Sequence, residues 1–171
     1  MKRFVLPALL ATLAMPAMAH VTANPATGLA GKYFQTSLRV THGCDGSPTV
    51  SITVTIPDGV MSVHPQAKPG WKISMKKHAL DHAMDMGHGK MAMESVNEIT
   101  WSGELADDQY DDFGLVMKLP DSVGQTLWFP TVQTCTKGEN RWVEIPKEGQ
   151  DWHDVPKPAP FVKLIKAGNA L

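Results

Sequence analysis

Along most of the chain, apolar and polar residues alternate in short runs separated by Gly, Pro, Asn and Asp, the spacing of strands joined by turns. Such runs occupy 33–41, 49–56, 71–75, 98–101, 113–119, 126–133 and 141–145. Within 49–56, Val50, Ile52, Val54 and Ile56 alternate with Ser51, Thr53 and Thr55, which predicts a strand with one face buried and one wet. No stretch of about ten residues carries a helical stripe. The pattern predicts an all-β fold, an immunoglobulin- or cupredoxin-like antiparallel β-sandwich.

Two segments depart from this rhythm. Residues 76–93 hold three histidines, several methionines, Gly87 and Gly89 but almost no β-branched residues, and read as a long Met/His-rich loop between two strands. From Asp151 onward, Pro156, Pro158 and Pro160 stiffen an extended tail before 161–165, expected to pack along the sandwich edge or stay mobile. The expected organisation is a signal peptide over 1–19, a sandwich domain over 20–150 and a Pro-rich tail over 151–171, with no internal repeat.

The first segment supplies the cellular context. Lys2 and Arg3 precede an apolar stretch, and Ala17-Met18-Ala19 forms a small-x-small cleavage box, the signature of a secretory signal. A membrane anchor needs roughly 20 unbroken apolar residues, and Pro7 and Pro16 interrupt this one. The protein is therefore expected to be periplasmic or otherwise exported, with cleavage between Ala19 and His20. Losing Lys2 and Arg3 takes the 16 basic residues to 14 against 17 acidic ones, a formal net charge of -3. Such a chain lacks the surplus of cations that binding nucleic acid requires.

Export also bears on Cys44 and Cys135. An even number of cysteines in an oxidising compartment predicts one disulfide, and the close spacing of a thiolate metal or redox pair is absent.

Cleavage would make His20 the first residue, with an α-amine and an imidazole able to chelate a transition metal together. The amine has an ordinary pKa of about 8 against about 10.4 for lysine, so freeing its lone pair at neutral pH costs about 1 kcal/mol rather than about 4 to 5. Nitrogen donors in this arrangement favour Cu(II). His42 ends a strand run beside Gly43 and Cys44, where a disulfide could aim its ring at the N-terminus or a backbone carbonyl could satisfy it in a turn. His64 and His153 stand in Pro-flanked or charged loops and read as solvent-facing.

Between 75 and 93 the chain reads MKKHALDHAMDMGHGKMAM. It gathers His78, His82 and His88 with Met75, Met84, Met86, Met91 and Met93. Thioethers select Cu(I) and imidazoles hold copper in either oxidation state, so this stretch reads as an accessory, labile site for Cu(I) or Cu(II). The charges of Lys76, Lys77, Asp81, Asp85 and Lys90 break any apolar helical face that core methionines would need. Asp107-Asp108 and Asp111-Asp112 lack the spacing of a helix-loop-helix calcium motif and read as a solvated acidic loop.

The chain as a whole resembles the YcnI-like copper-binding family of exported bacterial proteins. The matching pieces are His20-Val21-Thr22 with Pro25, His42-Gly43-Cys44-Asp45-Gly46-Ser47, Ile56-Pro57, Lys68-Pro69-Gly70-Trp71, Glu98-Ile99-Thr100-Trp101-Ser102-Gly103, Phe129-Pro130, Gln133-Thr134-Cys135 and Trp142. The resemblance implies a β-sandwich binding Cu(II) through the amine and imidazole of His20, with Trp142 near the metal. It also implies an acid on an early strand, where this chain has Ser51, Thr53 and Thr55. His42 is the expected substitute, giving a two-histidine brace. The function expected is copper homeostasis without catalysis: storage, delivery or metallochaperone work toward a membrane copper transporter or a periplasmic copper chaperone. The alternative is a copper-dependent oxidative enzyme resembling the lytic polysaccharide monooxygenases. Such an enzyme needs an open site and a substrate platform, whereas Trp71, Trp101, Trp128, Trp142 and Trp152 fall where core packing would use them.

Overall fold

The computed structural model describes residues 20–87 and 89–168. Twelve strands form three sheets, and the helical content among the described residues is a single 3-10 turn, Trp152–Asp154. A four-stranded antiparallel sheet runs in the order β1 (Thr22–Asn24), β3 (Tyr33–Val40), β8 (Asp111–Lys118), β5 (Met61–Pro65). A five-stranded one runs β11 (Glu139–Trp142), β10 (Thr131–Cys135), β4 (Thr49–Thr55), β7 (Lys90–Leu105), β6 (Lys72–Gly87). The third joins β2 (Thr27–Leu29), β12 (Phe161–Ile165) and β9 (Thr126–Trp128).

The apolar alternation read from the sequence fills the space between the sheets. Leu38, Val40, Phe113, Leu115 and Met117 from one sheet meet Ile52, Val54, Ile99 and Trp101 from the other, all nearly or wholly buried. Trp101 packs edge-on to Phe113 with ring centres 5.5 Å apart, and its indole N–H donates to the Gln66 carbonyl. Large aromatic area is thus buried without stranding a polar atom.

In β4, Ile52, Val54 and the following Ile56 are buried as the alternation predicts, but Val50 is not. Against β10 the register slips between Ser51 and Thr49, so Val50 is the extra residue of a bulge there and Thr49 takes the inward place. The Thr49 hydroxyl is satisfied there by the Gln133 amide. The expected strand over 126–133 is two strands in different sheets, because Pro130 has no N–H to continue a ladder.

The 76–93 segment is not a loop. β6 and β7 pair antiparallel as a long ribbon, from Lys72 opposite Ser102 out to Gly87 opposite Lys90. Much of its backbone pairs across the ribbon, with register slips at Lys76/Lys77, Ala79/Met84 and Asp85/Gly87, so it needs neither β-branched residues nor one continuous buried face. The far end is tied down to the other sheet: the Tyr33 hydroxyl and the Ser62 hydroxyl both donate to the Met86 carbonyl, at 3.0 and 3.3 Å, and Lys118 pairs with Asp85. The segment after Asp151 joins the body of the fold through β12, whose Val162 and Leu164 are fully buried.

Cys44 and Cys135 form a disulfide. Closing a loop with a sequence separation of 91 stabilises the fold by about 4 to 5 kcal/mol in the chain-entropy description.

Candidate metal centre

β1 and β11 are edge strands of the two facing sheets, on the same side of the sandwich. Val21 is buried and anchors the start of β1, which leaves the preceding His20 at the seam between these edges. Its imidazole meets the edge of Trp142 at 5.8 Å and of Trp152 at 5.0 Å between ring centres. Trp152 comes from the 3-10 turn, fixed by its indole N–H donating to the Ala159 carbonyl. The niche therefore draws on both chain ends.

The His20 ring is held below the ordinary imidazole pKa, first by burial and then by the charge of nearby His153, against a hydrogen bond to the Pro156 carbonyl that favours protonation. Its Nε2 is buried without a hydrogen-bond partner. A neutral imidazole with a carbonyl partner and a second, unpartnered nitrogen has the form of a metal ligand oriented by its surroundings. Among the described residues no group of three or more His, Cys, Asp or Glu side chains is gathered for a metal ion. A metal here would depend on donors beyond such a group.

Trp142 is a buried wall whose indole N–H turns inward to the Gln133 side-chain oxygen at 3.2 Å. The Gln133 amide nitrogen donates to the His42 carbonyl at 2.6 Å and to the Thr49 hydroxyl at 2.8 Å. One buried glutamine thus ties the His42 loop to the wall of the His20 niche, and the disulfide two residues along β10 clamps the same loop. The His42 ring itself has Nδ1 2.6 Å from the Gly43 carbonyl.

His153 is solvent-exposed, as its charged surroundings suggest, yet near enough to His20 to disfavour its protonation. Asp151 accepts from both the backbone N–H and Nδ1 of His153, and the backbone bond is the larger cause of its lowered carboxyl pKa. The part played by Trp152, His153 and Pro156 was hidden in the sequence, because it depends on the tail folding back over the first strand. Ser51 and Thr53 lie in the middle strand of the larger sheet, where Thr53 hydrogen-bonds Thr100 across to β7.

The Met/His residues of the ribbon divide between two hollows. Met75, Met86 and Met93 line a cavity of about 480 Å³ together with Met61 and His64 of β5. His78, Asp81 and Met84 line a second of about 470 Å³ beside Asp58. Met91 lies opposite Asp85 near the ribbon end and is 60% exposed. His82 is exposed at an irregularity where the register slips between Ala79 and Met84. His88 lies outside the described residues.

A family model described as a domain of unknown function, DUF1775, matches residues 20–164. The copper-binding protein CutI of Bacillus subtilis is 27% identical over 116 residues, covering 66% of this chain and 50% of that protein. The chain therefore matches about half the length of that curated relative. A crystal structure of an uncharacterized protein from Nocardia farcinica, described as immunoglobulin-like, superposes with a TM-score of 0.62 at 26% identity, over 86% of this chain and 99% of that one.

Proposed function

This chain belongs to the DUF1775 family, and from that membership we propose that it is an exported copper-binding protein holding Cu(II) at the amine and imidazole of a mature, amino-terminal His20. The copper binding of the Bacillus subtilis relative supports the choice of ion. The observation that carries the reading is the half-buried His20 imidazole, its pKa lowered and its buried Nε2 without a hydrogen-bond partner, set between Trp142 and Trp152. A ring already free of its proton gives up little to bind a cation, and the indoles limit access of water to it.

We take His42 as the second imidazole of this proposed site, because Gln133 and the disulfide fix its loop. The Met/His ribbon serves as an accessory collecting surface. The role is storage or delivery, toward a membrane copper transporter or a periplasmic copper chaperone. Binding rather than oxidative catalysis is favoured because the tryptophans are spent on packing: Trp101 and Trp142 are buried, and Trp71, Trp128 and Trp152 half-buried. No described helix is long and apolar enough to cross a membrane.

The test is a Cu(II) competition titration against a chromophoric chelator, using protein that begins at His20. His20→Ala should weaken binding about 100-fold or more, since it removes one donor and unsettles the other. His42→Ala should weaken it less, because the amine chelate remains. Equal Cu(II) affinity in the His20→Ala protein would refute the reading.

A further inference from the structure

Between Glu144 and Pro158 the chain leaves the body of the sandwich and returns to the same place. Glu144 bridges Pro158, its N–H donating to the Lys157 carbonyl and its own carbonyl accepting from Ala159. The residues between them form an Ω-like loop with its ends pinned together. Its hydrogen bonds are largely its own: Gln150 donates to the Lys147 carbonyl, Asp154 to Asp151 and Val155 to Trp152, and the Asp151 carboxylate accepts from the N–H of His153. From Lys147 to Asp154 every residue is exposed except Trp152. Beyond its base, the loop is held to the body by buried Val155, by Lys157 donating to the Asn140 side chain, and by two groups set on His20. A loop bonded to itself and closed at its base can lift without breaking a sheet ladder.

The two groups on His20 are Trp152 and the Pro156 carbonyl. Trp152 packs against the imidazole at 5.0 Å and against Phe161 at 5.9 Å between ring centres. The Pro156 carbonyl accepts a hydrogen bond from the imidazole. Nε2 is buried and has no partner, so the nitrogen on Pro156 is Nδ1. Nδ1 is also the nitrogen able to close a chelate ring with the residue's own α-amine, because it is bonded directly to Cγ while Nε2 lies on the far side of the ring. With the loop down, the nitrogen that the amine needs is engaged by a carbonyl and the other is shut from solvent. Trp142 is not the cover that yields, since it is buried in β11 with its N–H on Gln133. Trp152 is half-buried on a turn that buries no residue.

We propose that residues 145–157 are a lid that competes with the metal for His20: closed, it keeps Nδ1 on the Pro156 carbonyl beneath Trp152, and Cu(II) is chelated only when it lifts. The proposal rests on the reading above for the identity of the ion and deepens it by naming how that site is regulated. The closed population lowers the apparent affinity in proportion to the fraction that is open. Competition of this kind suits delivery, because the closing lid recaptures the ring as the ion leaves.

Two measurements test the lid, the first without metal. In protein beginning at His20 and labelled with nitrogen-15 on histidine, at mildly alkaline pH, the ring nitrogen shifts are expected to show His20 protonated on Nδ1. Trp152→Ala is expected to return it toward the Nε2–H tautomer that free imidazole side chains favour. An Nε2–H tautomer in the parent protein overturns the proposal. In a Cu(II) competition titration, Trp152→Ala is expected to bind about fivefold or more tighter than the parent, because the open form no longer has to be drawn from a closed one. Trp152→Phe, which keeps the cover but loses the bond to the Ala159 carbonyl, should fall between them. Weaker or unchanged affinity in both variants makes Trp152 a fixed wall of the site and overturns the lid. Equal Cu(II) affinity in His20→Ala refutes the copper site itself, whereas the tautomer is read without copper, so the two failures are told apart.

Discussion

At the scale of single residues, the protonation of His20 governs what its niche can hold. Burial, and then the charge of His153, lower its pKa, so on the proposed reading an α-amine freed at His20, with its ordinary pKa of about 8, is the donor that competes most with protons near neutral pH. Cu(II) affinity is therefore expected to fall about tenfold per pH unit from 8 down to about 6.5, one proton's worth, and to steepen only below that. A two-proton slope throughout that window, in the same competition titration, would show that the imidazole is not pre-neutralised. The shift also links to folding: a histidine depressed below its unfolded value gives its full stability above that value and loses it as pH falls below. Gln133 is the other decisive residue, fully buried with its partners His42, Thr49 and Trp142. Gln133→Leu leaves them unpaired and should cost about 3 kcal/mol in urea unfolding, with a loss under about 1 kcal/mol contradicting its role as the tie between loop and wall.

At the scale of elements, the ribbon shows what a sequence pattern can hide. Its Met, His, Lys and Asp residues carry neither a two-residue alternation nor strand propensity, because it has no single buried face to advertise. What specifies it is the pairing of Met75 with Ile99 continued outward, together with the tie of Met86 to Tyr33 and Ser62. β1, β2 and β5 are three to five residues long and hold no run of β-branched residues to mark them. By contrast β3, β4 and β8 were readable, since each alternates over seven or eight residues against one core. If the tertiary tie shapes the ribbon, Tyr33→Phe should speed amide hydrogen exchange several-fold over 84–92 while leaving 96–101 protected. Unchanged exchange at the ribbon end would mean the pairing alone suffices.

At the scale of the molecule, the His20 niche and the hollow beside the ribbon lie at opposite edges of the sandwich. The niche draws on the start of the first strand, β11 and the folded-back tail, and the hollow on β5 and the ribbon. The sequence pointed to His20 and to Trp142, the latter through family resemblance, because both lie in local motifs. It did not reveal Trp152, His153 and Pro156, nor the joining of Met61 and His64 to the ribbon, because these neighbourhoods exist only once the chain ends and edges meet. The proposed seat of copper is a free amino terminus. Its most direct measurement is the electron paramagnetic resonance spectrum of one equivalent of Cu(II) on nitrogen-15-histidine protein beginning at His20, beside the same protein with one alanine added ahead of it. Nitrogen couplings in the first spectrum are expected to change with the isotope, and the added alanine is expected to abolish the signal or convert it to one with fewer nitrogens. Identical spectra from the two proteins would contradict this placement of copper.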